Sequence, residues 1–162
     1  MKMLVPSFYQ YLEVLDNGIS LMFCHRWLLV FLKREFPILD TLSIWESCWT
    51  CPDTKFFHLF ICIAIIAIYG GKVVEKSFNI DELMVYFNSL SHQMPKDILL
   101  SQARGYLHKF CVSERIHCIL YELMDRHFWE KNHSVKFQCD DCHGFNFCRR
   151  TGFVNPKKEL VC

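Results

Sequence analysis

Residues 23–50 read FCHRWLLVFLKREFPILDTLSIWESCWT. Apolar side chains recur through this stretch at helical spacing, with Pro37 as the single strong breaker. The pattern predicts a helix over about 21–36, with Phe23, Trp27, Leu28, Phe31 and Leu32 on its apolar side. A second helix is predicted over about 38–50, with Ile38, Leu42, Trp45 and Trp49 sharing one face. Arg26 and Lys33 lie seven apart and would share a narrow polar stripe. An arginine directly before a tryptophan on a mostly buried helix needs a partner. Glu35, Glu46 or the face of an indole would each serve, because an unpaired buried guanidinium is costly. Lys33 and Arg34 read as the exposed end of the helix, with contact to a partner protein as the alternative.

Outward from this core the same periodicity continues. A first helix is expected over about 7–16, with Phe8, Leu12 and Leu15 at helical spacing and Asn17-Gly18 as its stop. The run FFHLFICIAIIAIY at 56–69 is the most hydrophobic segment. Asp53 is available to cap it and Gly70-Gly71 to close it. A helix over that run covers roughly 21 Å, short of the roughly 30 Å hydrocarbon core of a bilayer, so a buried central helix is expected rather than a membrane span. Asn79 followed by Glu82 reads as a capping box, with Ile80, Leu83, Met84, Phe87 and Leu90 lining the helix it starts. Further helices are predicted over about 97–110 and 114–130. The latter carries Ile116, Ile119, Leu120, Leu123, Met124 and Phe128 on one side, and a Glu122–Arg126 pair on the other. No repeat and no strand alternation is seen, which makes the fold class all-α, stacked helices with short connections and a poorly ordered cysteine-rich tail.

Composition narrows the possibilities. The 162 residues are 52% hydrophobic and 15% aromatic, enough to support one domain with a sizeable core. A formal net charge of +1 gives no bulk attraction to nucleic acid or to an anionic membrane. MKMLVPSFYQYLEV has no long apolar stretch of a secretory signal, so the 10 cysteines are read in a reducing, cytoplasmic setting. Cys24, Cys48, Cys62 and Cys118 fall within apolar patterns and read as buried thiols.

The order of motifs is also recognisable. FCHRWLLVFLKREFPILDTLSIWESCWT, followed by FHLFICIAII and FNIDELMVYFNSLS, resembles the C-terminal half of the TBC domain of Rab GTPase-activating proteins. The similar part runs over about 11–110, including YLEVLDNG ahead of the Arg-Trp helix. Arg26-Trp27, Lys33-Arg34-Glu35-Phe36 and Trp45-Glu46 in one register carry the likeness. The resemblance implies an all-helical domain, a cytoplasmic location peripheral to endomembranes and a role in vesicle trafficking. It also implies a Rab-class small GTPase as partner and activation in trans. In that mechanism an arginine finger stabilises charge on the transferring γ-phosphate and a glutamine finger positions the attacking water. The fingers of the family lie in Ile-x-x-Asp-x-x-Arg and Tyr-x-Gln-Gly motifs of the N-terminal half. Neither occurs in these 162 residues. Tyr9-Gln10 lacks both the intervening residue and the glycine. No catalytic residue is therefore assigned, and the chain is expected not to act as an activator itself. The structural motif is Arg26, Trp27, Glu35, Trp45 and Glu46, and the candidate GTPase contact is Lys33 with Arg34. If half of a two-part domain is absent, the second, fourth and fifth helices would expose apolar area beyond that of an ordinary monomer.

The expected division is a partial TBC domain over 1–112, an additional helix over 113–130 and a cysteine-rich tail over 131–162. No cofactor is expected in the helical part. In the tail, Cys139-x-x-Cys142 with His143 and Cys148 has donor types and a spacing that suit tetrahedral zinc, His133 being the alternative to His143. The competing reading is an irregular end with free thiols. A helical interaction module or a zinc-stabilised adaptor without activating function is the alternative to the GTPase reading.

Overall fold

The computed structural model describes residues 1–15, 21–113, 115–124, 129 and 136–137. The chain divides into two compact units, Met1–Cys51 with Phe56–Cys111, and Pro52–Lys55 with Val112–Cys162. The first holds six α-helices: α1 (Pro6–Leu15), α2 (Met22–Leu29), α3 (Ile38–Trp49), α4 (Phe57–Glu75), α5 (Ile80–Ser89) and α6 (Lys96–Cys111). The fold class is all-α, as the helical periodicity predicts.

Helix α4 is the centre of this unit and packs most extensively on α6, and also on α1, α2 and α3. Phe60, Ile61, Ala64, Ile65 and Val73 are fully or almost fully buried. Phe60 meets Phe110 of α6 edge to face with ring centroids 5.8 Å apart. The helix starts where expected but runs six residues further, to Glu75. Its N-cap is Phe56, with no side-chain cap, so Asp53 does not start it. Gly70-Gly71 do not close it either. Gly70 lies inside the helix because α1 crosses there: a Cβ at Gly70 would come within 2.7 Å of the Phe8 ring. At 19 residues α4 spans roughly 28 Å, so length alone no longer separates it from a membrane span. Its burial against the other helices is what marks it as a core helix.

A second aromatic cluster joins α1, α2 and α5. Phe23 stacks on Phe87 at 4.7 Å, and Phe8 and Trp27 meet these rings edge-on. Helix α5 begins with the expected capping box. Asn79 Oδ1 accepts from the Glu82 N–H and Glu82 Oε2 accepts from the Asn79 N–H, both at 2.9 Å.

Two further sequence expectations fail in this unit. Helix α2 stops at Leu29 instead of running to Phe36, for reasons given below. Helix α3 buries Thr41, Ile44 and Cys48, so Ile38, Leu42 and Trp49 face solvent at 59%, 50% and 72% exposure. Thr41 is tolerated inside because its hydroxyl donates to the carbonyls of Phe36 and Pro37 at the start of its own helix. Apolar side chains are left uncovered on α3, which is not among the helices expected to be bare, and also on α2 at Met22, Leu28 and Leu29, as expected there.

The second unit corrects the predicted helix over 114–130. Arg115–Ile116 (β1) pairs in parallel with Lys136–Phe137 (β2), which commits the backbone where a helix would begin. A 3₁₀ helix follows over Cys118–Leu123, with the Leu120 N–H donating to the carbonyl of His117 at 2.9 Å. Within this unit Thr54 Oγ1 donates to the carbonyl of Leu123, and Trp129 stacks on Tyr121 at 5.0 Å. Arg126, Phe128, the Asn17-Gly18 stop and the tail ligands Cys139, Cys142, His143, Cys148 and His133 lie outside the described residues.

Candidate functional site

The residues singled out in the sequence meet around the turn at 30–36, between α2 and α3. An uninterrupted helix over 21–36 would set Arg26 and Glu35 on opposite faces, about 13 Å apart along the axis. The structure instead places them in direct contact. Arg26 Nε donates to Glu35 Oε1 at 2.8 Å and Nη2 to Oε2 at 3.0 Å, a two-pronged pair. The Glu35 side chain is fully buried, while that of Arg26 retains about a third of its exposure. Of the three partners open to Arg26 in the sequence, Glu35 is the one it takes. The Nε–Nη2 edge of its guanidinium takes that carboxylate, and Glu46 lies exposed on α3.

Breaking the helix requires an unusual backbone. The Leu32 N–H reaches back to the carbonyl of Trp27 at 2.8 Å and the Phe31 N–H to that of Leu28 at 3.4 Å, the paired bonds of a Schellman end. Such an end needs a left-handed residue, commonly glycine. Here Phe31 has φ 49° and Leu32 φ 64°. Each carries a Cβ penalty of about 1–2 kcal/mol. Tertiary contacts hold the turn in place. Leu32 and Phe36 are buried, Trp45 Nε1 donates to the Phe31 carbonyl at 2.8 Å, and the Arg26–Glu35 pair closes the loop. The Phe31 ring sits against His58 at 4.8 Å and Trp45 at 6.2 Å. Burial lowers the pKa of His58, whose Nδ1 is buried with no hydrogen-bond partner among the described residues.

Lys33 and Arg34 project from the tip of this turn, both exposed. Their expected stripe with Arg26 along one helix does not exist, because the helix has ended before them. A second turn, at 90–93, lies against their backbone. Ser91 Oγ donates to the Arg34 carbonyl at 2.6 Å and the His92 N–H to the Glu35 carbonyl at 2.8 Å. Sequence reading did not identify these two residues. The only local hint was the helix end just before them, and their partners are nearly sixty positions away.

Trp27 is a core residue, buried between Phe23 and Phe87. The thiols of Cys24, Cys48 and Cys62 are also buried, and desolvation raises their pKa values, to about 11 for Cys24 and about 12 for Cys48. These are inert packing groups. Among the described residues no cluster of His, Cys, Asp or Glu has the arrangement of a metal site.

A family description, the Rab-GTPase-TBC domain, matches residues 1–73. TBC1 domain family member 16 of Homo sapiens is 40% identical over 152 residues, covering 91% of this chain and 20% of that protein. TBC1 domain family member 17 of Homo sapiens is 33% identical over 109 residues, covering 67% of this chain and 16% of the relative. The GTPase-activating protein GYP7 of Saccharomyces cerevisiae is 31% identical over 109 residues, 67% of this chain and 14% of its own. The chain thus spans a fifth or less of the length of these relatives. The likeness to the first of them extends well past the residues matched by the family description.

Proposed function

Because residues 1–73 carry a piece of a Rab-GTPase-TBC domain, making the chain Rab-GAP-like, we propose that it is a binding module for a small GTPase of the Rab class, without activating power of its own. One observation carries this reading. Arg26, the arginine embedded in the family-like motif, is held by one edge of its guanidinium, Nε and Nη2, against a buried carboxylate of its own turn. A finger has to reach a partner's γ-phosphate with its donors available. Arg26 is anchored by Glu35 in the turn that displays Lys33 and Arg34. The absence of the two finger motifs from these 162 residues supports the same conclusion.

In this role the chain offers a rigid scaffold and a charged surface, and the GTPase would keep its intrinsic slow hydrolysis. The test is single-turnover GTP hydrolysis by a panel of Rab-class GTPases, with and without the chain. Binding to at least one member without a change in rate is expected. An acceleration approaching the roughly 10³–10⁵ that an arginine finger supplies would overturn the inactive reading.

A further inference from the structure

We propose that the turns at 30–36 and 90–93 form one preformed docking edge for a carboxylate-rich patch on a protein partner, with Ser91 and His92 as its positioning and contact residues. The inference rests on the functional reading above and extends it to residues that no motif marks.

The two turns belong to different parts of the chain, yet their backbones are joined. Ser91 Oγ holds the Arg34 carbonyl, and the His92 N–H holds the Glu35 carbonyl. His92 itself adopts a left-handed backbone, with φ 59°, facing a turn that already contains two such residues. Three non-glycine residues in this region within so small a space persist only where surrounding contacts over-determine them. What they achieve is a common edge on which Lys33, Arg34, His92 and Gln93 are all exposed.

Charge gives the edge its chemical sense. Glu35 is the one acidic residue in either turn, and it is buried and already neutralised by Arg26. Lys33 and Arg34 make no ion pair among the described residues. Two fixed cations and an imidazole therefore face outward with no carboxylate of the turns beside them. An Arg fork is suited to carboxylates, and a backbone locked before binding reduces the ordering cost of forming the contact. Charged contacts of this kind raise association rates and make them sensitive to salt.

The test uses the full chain with Rab-class GTPases loaded with a non-hydrolysable GTP analogue, titrated at low and moderate salt. Variants are K33E/R34E, H92D and S91A. Aspartate tolerates the left-handed backbone at position 92, so H92D reverses the sign of the site without adding strain, and H92N controls for the backbone alone. Circular dichroism and an unchanged urea midpoint establish that each variant is folded. K33E/R34E is expected to weaken binding about tenfold or more, with H92D and S91A weakening it several-fold and the two charge-changing variants flattening the salt dependence. If K33E/R34E weakens binding while folded H92D and S91A do not, the shared edge is wrong and the GTPase reading stands. If the parent binds no GTPase but binds phosphatidylserine vesicles through these residues, the partner class is wrong. Should it bind neither, both readings fall together.

Discussion

Helices α2 and α4 end in the same way for different reasons. Each closes in a Schellman motif with a left-handed residue that is not glycine, Phe31 after α2 and Ser77 after α4, at φ 49° and 51°. After α4 the Phe78 N–H bonds the Val73 carbonyl and the Ser77 N–H that of Val74, both at 3.2 Å. At the end of α2 the strain is held by Trp45, by the buried Leu32 and Phe36, and by the Arg26–Glu35 pair, and the turn that results displays charge. At the end of α4, Ser77 is exposed and its hydroxyl makes no hydrogen bond among the described residues. At the first end the left-handed residue itself is held by tertiary contacts, whereas at the second those contacts fall on its neighbour Phe78, whose carbonyl accepts from the Tyr11 hydroxyl and whose ring meets Tyr86. Substitutions should tell the two apart.

The largest effect is expected at Arg26. In R26M the fully buried Glu35 carboxylate loses its only ion-pair partner among the described residues. Removing one member of a buried pair costs about 3–5 kcal/mol, while replacing both members by apolar groups is often close to neutral. Urea denaturation should therefore show R26M strongly destabilised and R26M/E35M substantially recovered. A double variant as unstable as the single would mean that packing, and not the unpaired charge, governs this end.

A smaller loss is expected from W45F. It removes the indole N–H that holds the Phe31 carbonyl while keeping an aromatic ring beside Phe31. A hydrogen bond of this kind contributes about 1 kcal/mol net. The shift should appear in the urea midpoint with the slope unchanged, since the compactness of either state is not altered. No change would show that the turn is held by Arg26 and Glu35 alone.

The same contrast explains what could be read from the sequence. Apolar periodicity and the Asn79–Glu82 pair identified elements whose cause is local or generic, namely the central helix and the capping box. The end of α2 was not legible, because its stop signal is a phenylalanine held by a tryptophan fourteen residues on. A clue was nevertheless present. Arg26 and Glu35 are nine apart, so pairing them and continuing the helix to Phe36 exclude each other. The buried face of α3 was misassigned for a related reason. A period of 3.6 reveals that a stripe exists, but not which of two neighbouring stripes, about a quarter-turn apart, meets the core, and Thr41 with its satisfied hydroxyl took the inner side. Ser91 and His92 carry no local signature beyond the helix end before them, since their partners are Arg34 and Glu35.

The gentlest prediction concerns the other end of the comparison. In S77G the Cβ penalty of the left-handed conformation, about 1–2 kcal/mol, is removed. Against it stands the greater freedom of glycine in the unfolded chain, about 0.5–1 kcal/mol. Because the Ser77 hydroxyl makes no hydrogen bond among the described residues and the residue is exposed, little else is lost. The net expectation is a gain of several tenths to about 1 kcal/mol, read as a higher urea midpoint with an unchanged slope. The outcome bears on the contrast directly. If glycine stabilises the end of α4, no contact of the Ser77 side chain offsets its backbone strain. If S77G is destabilising, Ser77 has contacts that hold it as Phe31 is held, and the two helix ends are alike after all.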